Sequence, residues 1–221
     1  MNAELSAVIF DMDGVLIDSS DAHFQSWRRL AADWGSDVTL EQFRATFGRQ
    51  NRDIIPLLLP EACKVRDIAE LGEVKERYYR ELIREQVPVL PGAAELVRAC
   101  HRAGMICAVG SSGHPENIAM ALRAIGVQDI IHTVVSGRDV TVGKPDPEVF
   151  LIAAKRMETT PQRCAVIEDA PAGIEAALAA GMTAIGVTTM HSRERLVRAH
   201  LVVDRLDQLS PERIGKAAGS I

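Results

Sequence analysis

Two aspartates, Asp11 and Asp13, follow the apolar run of residues 8–10 and come directly before Gly14. The run predicts a buried strand, since strands of a parallel sheet are covered on both faces and are apolar almost throughout. In extended backbone, residues two apart point to the same side. Two adjacent carboxylates repel each other unless a cation lies between them or one carries a proton. The pair therefore suits a metal ligand that is also a nucleophile, beside a proton donor.

Further polar residues follow later predicted strands. Ligands of open α/β sheets bind outside the carboxyl ends of the strands, so we expect these residues to meet the two aspartates. They are Ser111 and Ser112 after residues 105–110, Lys144 in a Gly-Lys-Pro-Asp-Pro loop, and Glu168 and Asp169 after residues 164–167.

Each of these residues also has an ordinary structural role. Asp11 and Asp13 suit a turn, and the two serines suit the N-cap of a helix. A lysine is most often a solvated surface charge. Acids before a helix, such as Glu168 and Asp169, are satisfied by its first N–H groups. Both interpretations stay open for each residue taken alone.

The composition limits the class of protein. The 221 residues carry a formal net charge of −5, which argues against nucleic acid or an acidic membrane as a partner. The four cysteines include no CxxC pair, which favours a reducing compartment. No apolar run approaches 18 residues, and no basic segment precedes an apolar one near the N-terminus. We therefore predict a cytoplasmic protein with neither a membrane span nor a signal peptide.

The pattern of elements changes along the chain. Residues 17–86 show helical periodicity and no strand, whereas strands and helices alternate after them, as in a parallel sheet with right-handed crossovers. The sequence thus predicts a Rossmann-like α/β core of three layers, residues 1–16 and 87–221, and an inserted helical domain, residues 17–86. Thr39 and Gln42 predict a capping box. In the helix over residues 65–86 we expect one apolar stripe, made of Leu71, Val74, Tyr78, Leu82 and Ile83.

The motif Asp11-Met12-Asp13-Gly14-Val15 resembles the first motif of the haloacid dehalogenase superfamily of phosphotransferases. Ser111, Lys144 and the pair Glu168-Asp169 resemble its three other motifs, in the same order. The resemblance covers about residues 5–205, and the helical insertion is similar to the four-helix cap of one branch, which includes β-phosphoglucomutases and sugar-phosphate phosphatases. A dinucleotide-binding oxidoreductase is disfavoured, because no GxGxxG follows the first strand.

The resemblance implies a role for each motif residue. Asp11 is the expected nucleophile and Asp13 the general acid–base, which holds a proton for part of the cycle. Ser111 and Ser112 are expected to bind phosphate, and Lys144 to bind the phosphate and the nucleophile together. Mg²⁺ is the implied cofactor, held by the side chains of Asp11 and Asp169 and by the backbone carbonyl of Asp13, with Glu168 contributing directly or through water. Halide-displacing members lack the second aspartate, so Asp13 favours phosphoryl transfer.

The helical insertion is expected to select the substrate. His23 and Trp27 lie one helical turn apart and resemble a His and a Trp of β-phosphoglucomutases, although a surface histidine and a core tryptophan are equally compatible with the spacing. Arg49 and Arg52 suit a distal phosphate or carboxylate, or solvent.

Three residues depart from the mutase pattern. Gln50 and Asn51 stand where it has Ser-Arg, and His114 stands where it has a lysine after the second motif. The sequence therefore favours a Mg²⁺-dependent phosphatase of a small sugar or polyol phosphate, a monomer or weak dimer. The alternatives are a mutase and, less favoured, a catalytically silent binding protein of the same fold.

Overall fold

The computed structural model describes residues 5–219, and the chain forms two compact units. One unit comprises Met1–Asp18 together with Val89–Ile221, and the other comprises Ser19–Pro88. The first contains the sheet and the second contains helices only, within the described residues.

The first unit is built on a six-stranded, all-parallel sheet with the strand order β3-β2-β1-β4-β5-β6. Every residue of β1, β4 and β5 is buried, so both faces of the sheet are covered at its centre. The predicted Rossmann-like α/β fold is therefore confirmed. The strands are β1 (Ala7–Phe10), β2 (Ile106–Gly110), β3 (Ile131–Val135), β4 (Cys164–Glu168), β5 (Thr183–Val187) and β6 (Leu201–Val203).

The register around β1 determines which loops meet. Phe10 pairs with Val109 on one side and with Ile167 on the other. The backbone N–H of Asp11 then donates to the carbonyl of Ile167 at 3.0 Å. The strand order reverses at β1, and such a switch point opens a crevice outside the carboxyl ends of the strands. The residues that follow β1, β2 and β4 consequently share one edge of the sheet.

The described part of the first unit also contains five α-helices. The last of them, α9, had no counterpart in the sequence analysis, although Ser210 before Pro211 is a typical helix start, and its side chain accepts the N–H of Arg213. The sequence predicts a loose tail after about Ala217, whereas α9 continues to Ala218, and residues 220–221 lie outside the described part of the chain. The helices are α5 (Ala93–Arg102), α6 (Pro115–Ile125), α7 (Glu148–Arg156), α8 (Pro171–Ala179) and α9 (Pro211–Ala218).

The second unit, Ser19–Pro88, contains four α-helices around its own apolar core. Thr39 accepts the N–H of Gln42 and the Gln42 side chain accepts the N–H of Thr39, so the predicted capping box is confirmed. Residues 51–59 form a short apolar segment that Pro56 interrupts, and Asn51–Leu58 is helical in the structure. The helices are α1 (Ser20–Ala32), α2 (Leu40–Thr46), α3 (Asn51–Leu58) and α4 (Ile68–Ile83).

The apolar stripe predicted for α4 is partly wrong. Leu71 and Ile83 are buried as expected, but Leu82 is 48% exposed, and Tyr79 is fully buried in place of Tyr78. The buried face repeats every four residues and includes Lys75, which is 2% exposed. The sequence did not show this repeat, because a search for apolar residues leaves out a charged lysine even when it is buried.

No helix formed by residues 5–219 is long and apolar enough to cross a membrane.

Candidate active site

Three carboxylates meet at the carboxyl edge of the sheet. Asp11 follows β1, Glu168 ends β4, and Asp169 comes next in the chain. Their ligand oxygens all lie within 4.8 Å of one another, and the residues are 6%, 1% and 2% exposed, respectively. Such proximity without water is unfavourable unless positive charge is present.

Lys144 supplies part of that charge. Its Nζ donates to Asp11 Oδ1 and to Glu168 Oε1, each at 2.6 Å, and its side chain is 6% exposed. Burial alone would lower the pKa of Lys144, but the two carboxylates raise it above its ordinary value. Lys144 is therefore a fixed ammonium between two acids and not the solvated surface charge that its residue type suggests.

The charges of this site do not balance. With all three carboxylates ionised, this cluster of three acids and one lysine has a net charge of −2. Burial raises the pKa of Asp11 to about 7, against the lowering effect of Lys144, and raises the pKa of Asp169 well above its ordinary value. Asp169 Oδ2 is buried, with no hydrogen-bond partner among the described residues. An oxygen-lined site with this charge and a spare buried oxygen fits a divalent cation, which prefers such ligands.

Glu168 and Asp169 have different surroundings. Glu168 Oε2 accepts the backbone N–H groups of Asp169 and Ala170, both at 2.9 Å, while Oε1 accepts from Lys144. Glu168 therefore combines the helix-start role, at the beginning of α8, with an ion pair to Lys144. Asp169 keeps a carboxylate oxygen open, and is the better placed of the two to ligate a cation.

The loop after β2 brings Ser111 to the same edge. The backbone N–H of Ser111 donates to Val135, and its Oγ accepts the N–H of Gly113 at 3.0 Å. Ser111 is 1% exposed, whereas Ser112 is half-buried. The N-cap of α6 is His114, whose Nδ1 accepts the N–H of Glu116. Neither serine caps the helix, so the structural alternative for the two serines is wrong.

Asp13 lies in a tight turn after β1. The N–H of Gly14, at φ +81°, donates to the carbonyl of Ile17 at 2.8 Å, and this bond turns the chain back. Asp13 is half-buried. A β-carbon at Gly113 would lie 3.1 Å from Ser111 Oγ and 3.5 Å from Asp13 Oδ2, so both side chains border the same glycine. The predicted general acid and the predicted phosphate ligand are thus neighbours.

A second buried ion pair lies inside the helical unit. Lys75 Nζ is 2.6 Å from His23 Nδ1 and 2.9 Å from Glu76 Oε1, and lies 5.2 Å from the centre of the Trp27 ring. His23 stacks on Tyr79, with ring centroids 4.0 Å apart. His23 and Trp27 do face one direction, as their spacing predicts, and they meet a lysine that the sequence analysis did not single out.

Glu76 is ionised in spite of its burial. Burial alone would raise the pKa of Glu76, but Lys75, His23 and a hydrogen bond from Asn51 lower it to about 2. Asn51 Nδ2 donates to Glu76 Oε1 at 2.7 Å. The position where the mutase pattern has an arginine is therefore occupied by an amide bound to a buried carboxylate.

The other residues around the start of α3 differ in exposure. Arg49 and Arg52 are exposed, whereas Gln50 is 6% exposed, and its Nε2 is buried without a hydrogen-bond partner among the described residues. Sequence reasoning missed Lys75 and Glu76. The signal that was available is the spacing of Leu71, Lys75, Tyr79 and Ile83, which places the lysine on a helix face that is otherwise buried.

Comparisons with known proteins agree on one family. A family model described as haloacid dehalogenase-like hydrolase matches residues 5–181. This range includes all four motifs of the carboxylate and lysine site.

Two curated proteins and one solved structure illustrate the similarity. The chain is 33% identical over 186 residues to "Phosphorylated carbohydrates phosphatase" of Thermotoga maritima, covering 82% of this chain and 84% of that protein. It is 32% identical over 216 residues to "Beta-phosphoglucomutase" of Bacillus subtilis, covering 94% and 93%. A crystal structure of beta-phosphoglucomutase from Clostridium difficile has a TM-score of 0.88 and 30% identity, covering 98% of each chain.

The buried pair in α4 makes a stability prediction. Glu76→Gln leaves Lys75 buried without its anion, so the free energy of unfolding at pH 7 should fall by about 3 kcal/mol. The pKa of Glu76 is lowered from 4.5 to about 2 by folding. The stabilisation is therefore present above pH 4.5, and the difference between wild type and Glu76→Gln should shrink as the pH falls toward 2. Denaturant unfolding across this pH range measures it.

The matched control is Glu81→Gln on the same helix. Glu81 pairs with Arg29 at 2.7 Å, but the two side chains are 43% and 50% exposed, so the loss should stay below about 1 kcal/mol. Equal losses for the two variants would contradict the assignment of Glu76 as a buried, ionised partner of Lys75.

Proposed function

Because the chain belongs to the haloacid dehalogenase-like hydrolases, we propose that it is a Mg²⁺-dependent phosphatase of a small sugar or polyol monophosphate, acting through an aspartyl phosphate on Asp11. The site of this family member suits a phosphatase or a phosphomutase, and its relatives carry both names. The observation that supports a phosphoryl-transfer site is the buried Asp11, held by Lys144 and surrounded by Glu168 and Asp169.

In the proposed first step, an Asp11 oxygen attacks phosphorus and the bond to the leaving alcohol breaks. Lys144 donates to Asp11 Oδ1, which fixes the carboxylate and leaves Oδ2 to act as the nucleophile. Asp13 gives its proton to the leaving oxygen. Ser111 and the backbone N–H of Ser112 hold the phosphoryl oxygens, as loops before helix N-termini often do.

In the proposed second step, water attacks the phosphorus of the aspartyl phosphate. Asp13, now ionised, takes the proton of that water, and the phosphorus–oxygen bond to Asp11 breaks. Inorganic phosphate and the free Asp11 carboxylate are the products, and Asp13 is again protonated. Lys144 stays beside Asp11 and stabilises the negative charge in both steps.

The residues that would hold Mg²⁺ are Asp11, Asp169 and the backbone carbonyl of Asp13, with Glu168 as a further carboxylate. Their net negative charge and the open Asp169 Oδ2 support this assignment. A bound divalent cation supplies charge neutralisation for an anionic nucleophile and an anionic substrate.

The names of two relatives support a sugar or polyol phosphate as the substrate. The Thermotoga maritima relative is named for phosphorylated carbohydrates, and the Bacillus subtilis relative is named beta-phosphoglucomutase. Within the helical unit, Trp27 and Lys75 are each 2% exposed, so neither side chain presents a surface to a ligand in this structure. The substrate-binding roles of His23, Trp27, Arg49 and Arg52 stay predictions.

A sugar-phosphate mutase is the second candidate. Its support is the 32% identity to beta-phosphoglucomutase over 94% of the chain. A mutase must also accept a bisphosphate, which needs a second cationic site. Asn51 stands at the arginine of the mutase pattern and is bound to Glu76, and Glu76 offsets the charge of Lys75. This arrangement favours hydrolysis.

A screen of sugar and polyol phosphates with Mg²⁺ tests the activity. We expect phosphate release from at least one monophosphate, and conversion of β-glucose 1-phosphate to glucose 6-phosphate at a lower rate. Asp11→Asn should reduce phosphate release by at least about 10³-fold, because it removes the nucleophile. Isomerisation faster than phosphate release would favour the mutase, and substantial turnover by Asp11→Asn would remove Asp11 as the nucleophile.

The role of Asp13 predicts a kinetic burst. An aryl phosphate has a good leaving group that needs no proton, whereas hydrolysis of the aspartyl phosphate still needs a base. Asp13→Asn should therefore release about one equivalent of phenol rapidly and then turn over at least about 10²-fold more slowly than wild type. Stopped-flow absorbance measures the burst. Equal slowing of the first and later turnovers would contradict the base role.

The pKa of Asp11 predicts a pH dependence of metal binding. This carboxyl, with a pKa of about 7 in the metal-free protein, must lose its proton to ligate a cation. The apparent Mg²⁺ affinity, measured by calorimetry without substrate, should fall at least about tenfold per pH unit below 7, because Asp169, whose pKa is also raised, must lose its proton as well. Asp169→Asn should lose this binding. Asp37→Asn, at an exposed carboxylate, should keep it, and pH-independent affinity would contradict the prediction.

A further inference from the structure

Gly173 occupies the third position of α8, next to the acidic pair. Glycine is a poor helix former, whereas four of the other eight residues of α8 are alanines, which are the best helix formers. Gly173 has no positive φ, so backbone conformation does not explain the glycine. The explanation must lie in the space that a side chain would fill.

That space is occupied by the Glu168 carboxylate. A β-carbon at position 173 would lie 2.6 Å from Glu168 Oε2 and closer still to Oε1 and to the carboxylate carbon. Real β-carbons stay at least about 3 Å from such atoms. Even alanine at position 173 would therefore require Glu168 to move.

Glu168 cannot move without losing its partners. Oε2 accepts the N–H groups of Asp169 and Ala170 at the start of α8, and Oε1 accepts from Lys144 at 2.6 Å. The residue is 1% exposed, so a displaced carboxylate would reach no water nearby. Lys144 would then keep only Asp11 as an anionic partner among the bonds described for it.

We propose that Gly173 is a positioning residue of the phosphoryl-transfer site. Because it has no side chain, the Glu168 carboxylate lies across the first turn of α8 and holds the Lys144 ammonium beside Asp11. The catalytic part of this inference rests on the proposed function, whereas the steric part depends only on Gly173 and Glu168. Glycine is therefore the only residue that leaves the Glu168 carboxylate in place.

A double-mutant cycle tests the proposal. Gly173→Ala should lower the thermal midpoint by at least about 5 °C, and kcat by about 10²-fold with a smaller change in KM, because Lys144 loses its support. In a Glu168→Ala background the obstructing carboxylate is gone, so Gly173→Ala should then leave the midpoint unchanged or raise it and change the residual kcat by less than twofold. A general structural defect would instead give the same loss in both backgrounds.

The matched control is Gly215→Ala in α9. Gly215 is also a helical glycine, and apart from its chain neighbours and the backbone of its own helix no described atom lies within 4 Å of the place where its β-carbon would be. This variant should be as stable as wild type or more stable, with unchanged kcat.

Each outcome is decisive. Equal midpoints for wild type and Gly173→Ala, or equal losses with and without Glu168, would overturn the proposal. If Gly173→Ala does not fold, the double variant Glu168→Ala/Gly173→Ala must fold, and its failure would also overturn it. If wild type shows no phosphatase activity, the proposed function fails while the cycle in thermal midpoints still tests the steric contact.

Discussion

The whole site depends on three carboxylates buried around one ammonium. Asp11, Glu168 and Asp169 lie within 4.8 Å of one another, and Lys144 bonds to the first two. Burial of these charges is tolerable only with positive charge close by, and a single lysine leaves an excess of negative charge. Burial, together with the neighbouring acids, raises the pKa of Asp11 to about 7, and the excess of negative charge favours a divalent cation. Burying the acids together is thus unfavourable, but it also produces the raised pKa and the negative charge that suit a metal-assisted reaction.

The sheet assembles the acids at that edge by register and strand order. β1 lies between β2 and β4, so the residues after these strands meet, although they are about 100 and 157 positions from Asp11 in the chain. Two glycines, Gly14 and Gly173, border the acidic pair where side chains would collide with Asp169 and Glu168. The carboxylates can therefore occupy their positions because these two glycines have no side chains, and hydrogen bonds then hold them there.

The helical unit also buries charged side chains next to one another, but there the charges cancel. Lys75 and Glu76 form a buried pair of zero net charge, with His23 and Asn51 bonded to them. A balanced pair has no excess charge to attract a second phosphate. The site on the sheet and the cluster in the helices therefore differ in net charge, the first being negative and the second balanced.

The sequence by itself determined the fold class and the residues of the sheet-edge site. Four short motifs at strand ends and the change from helical to alternating periodicity were enough, because parallel strands place their carboxyl ends at one edge. The sequence did not determine the burial of Lys75 and Glu76, the helix α9, or the separate roles of Glu168 and Asp169. These features depend on which charged groups from distant segments contact each other. A sequence pattern shows which residues are polar, but it does not show which residues they contact. Only the tertiary structure decided that a lysine would be part of a buried helix face, and that a glycine would leave room for a carboxylate.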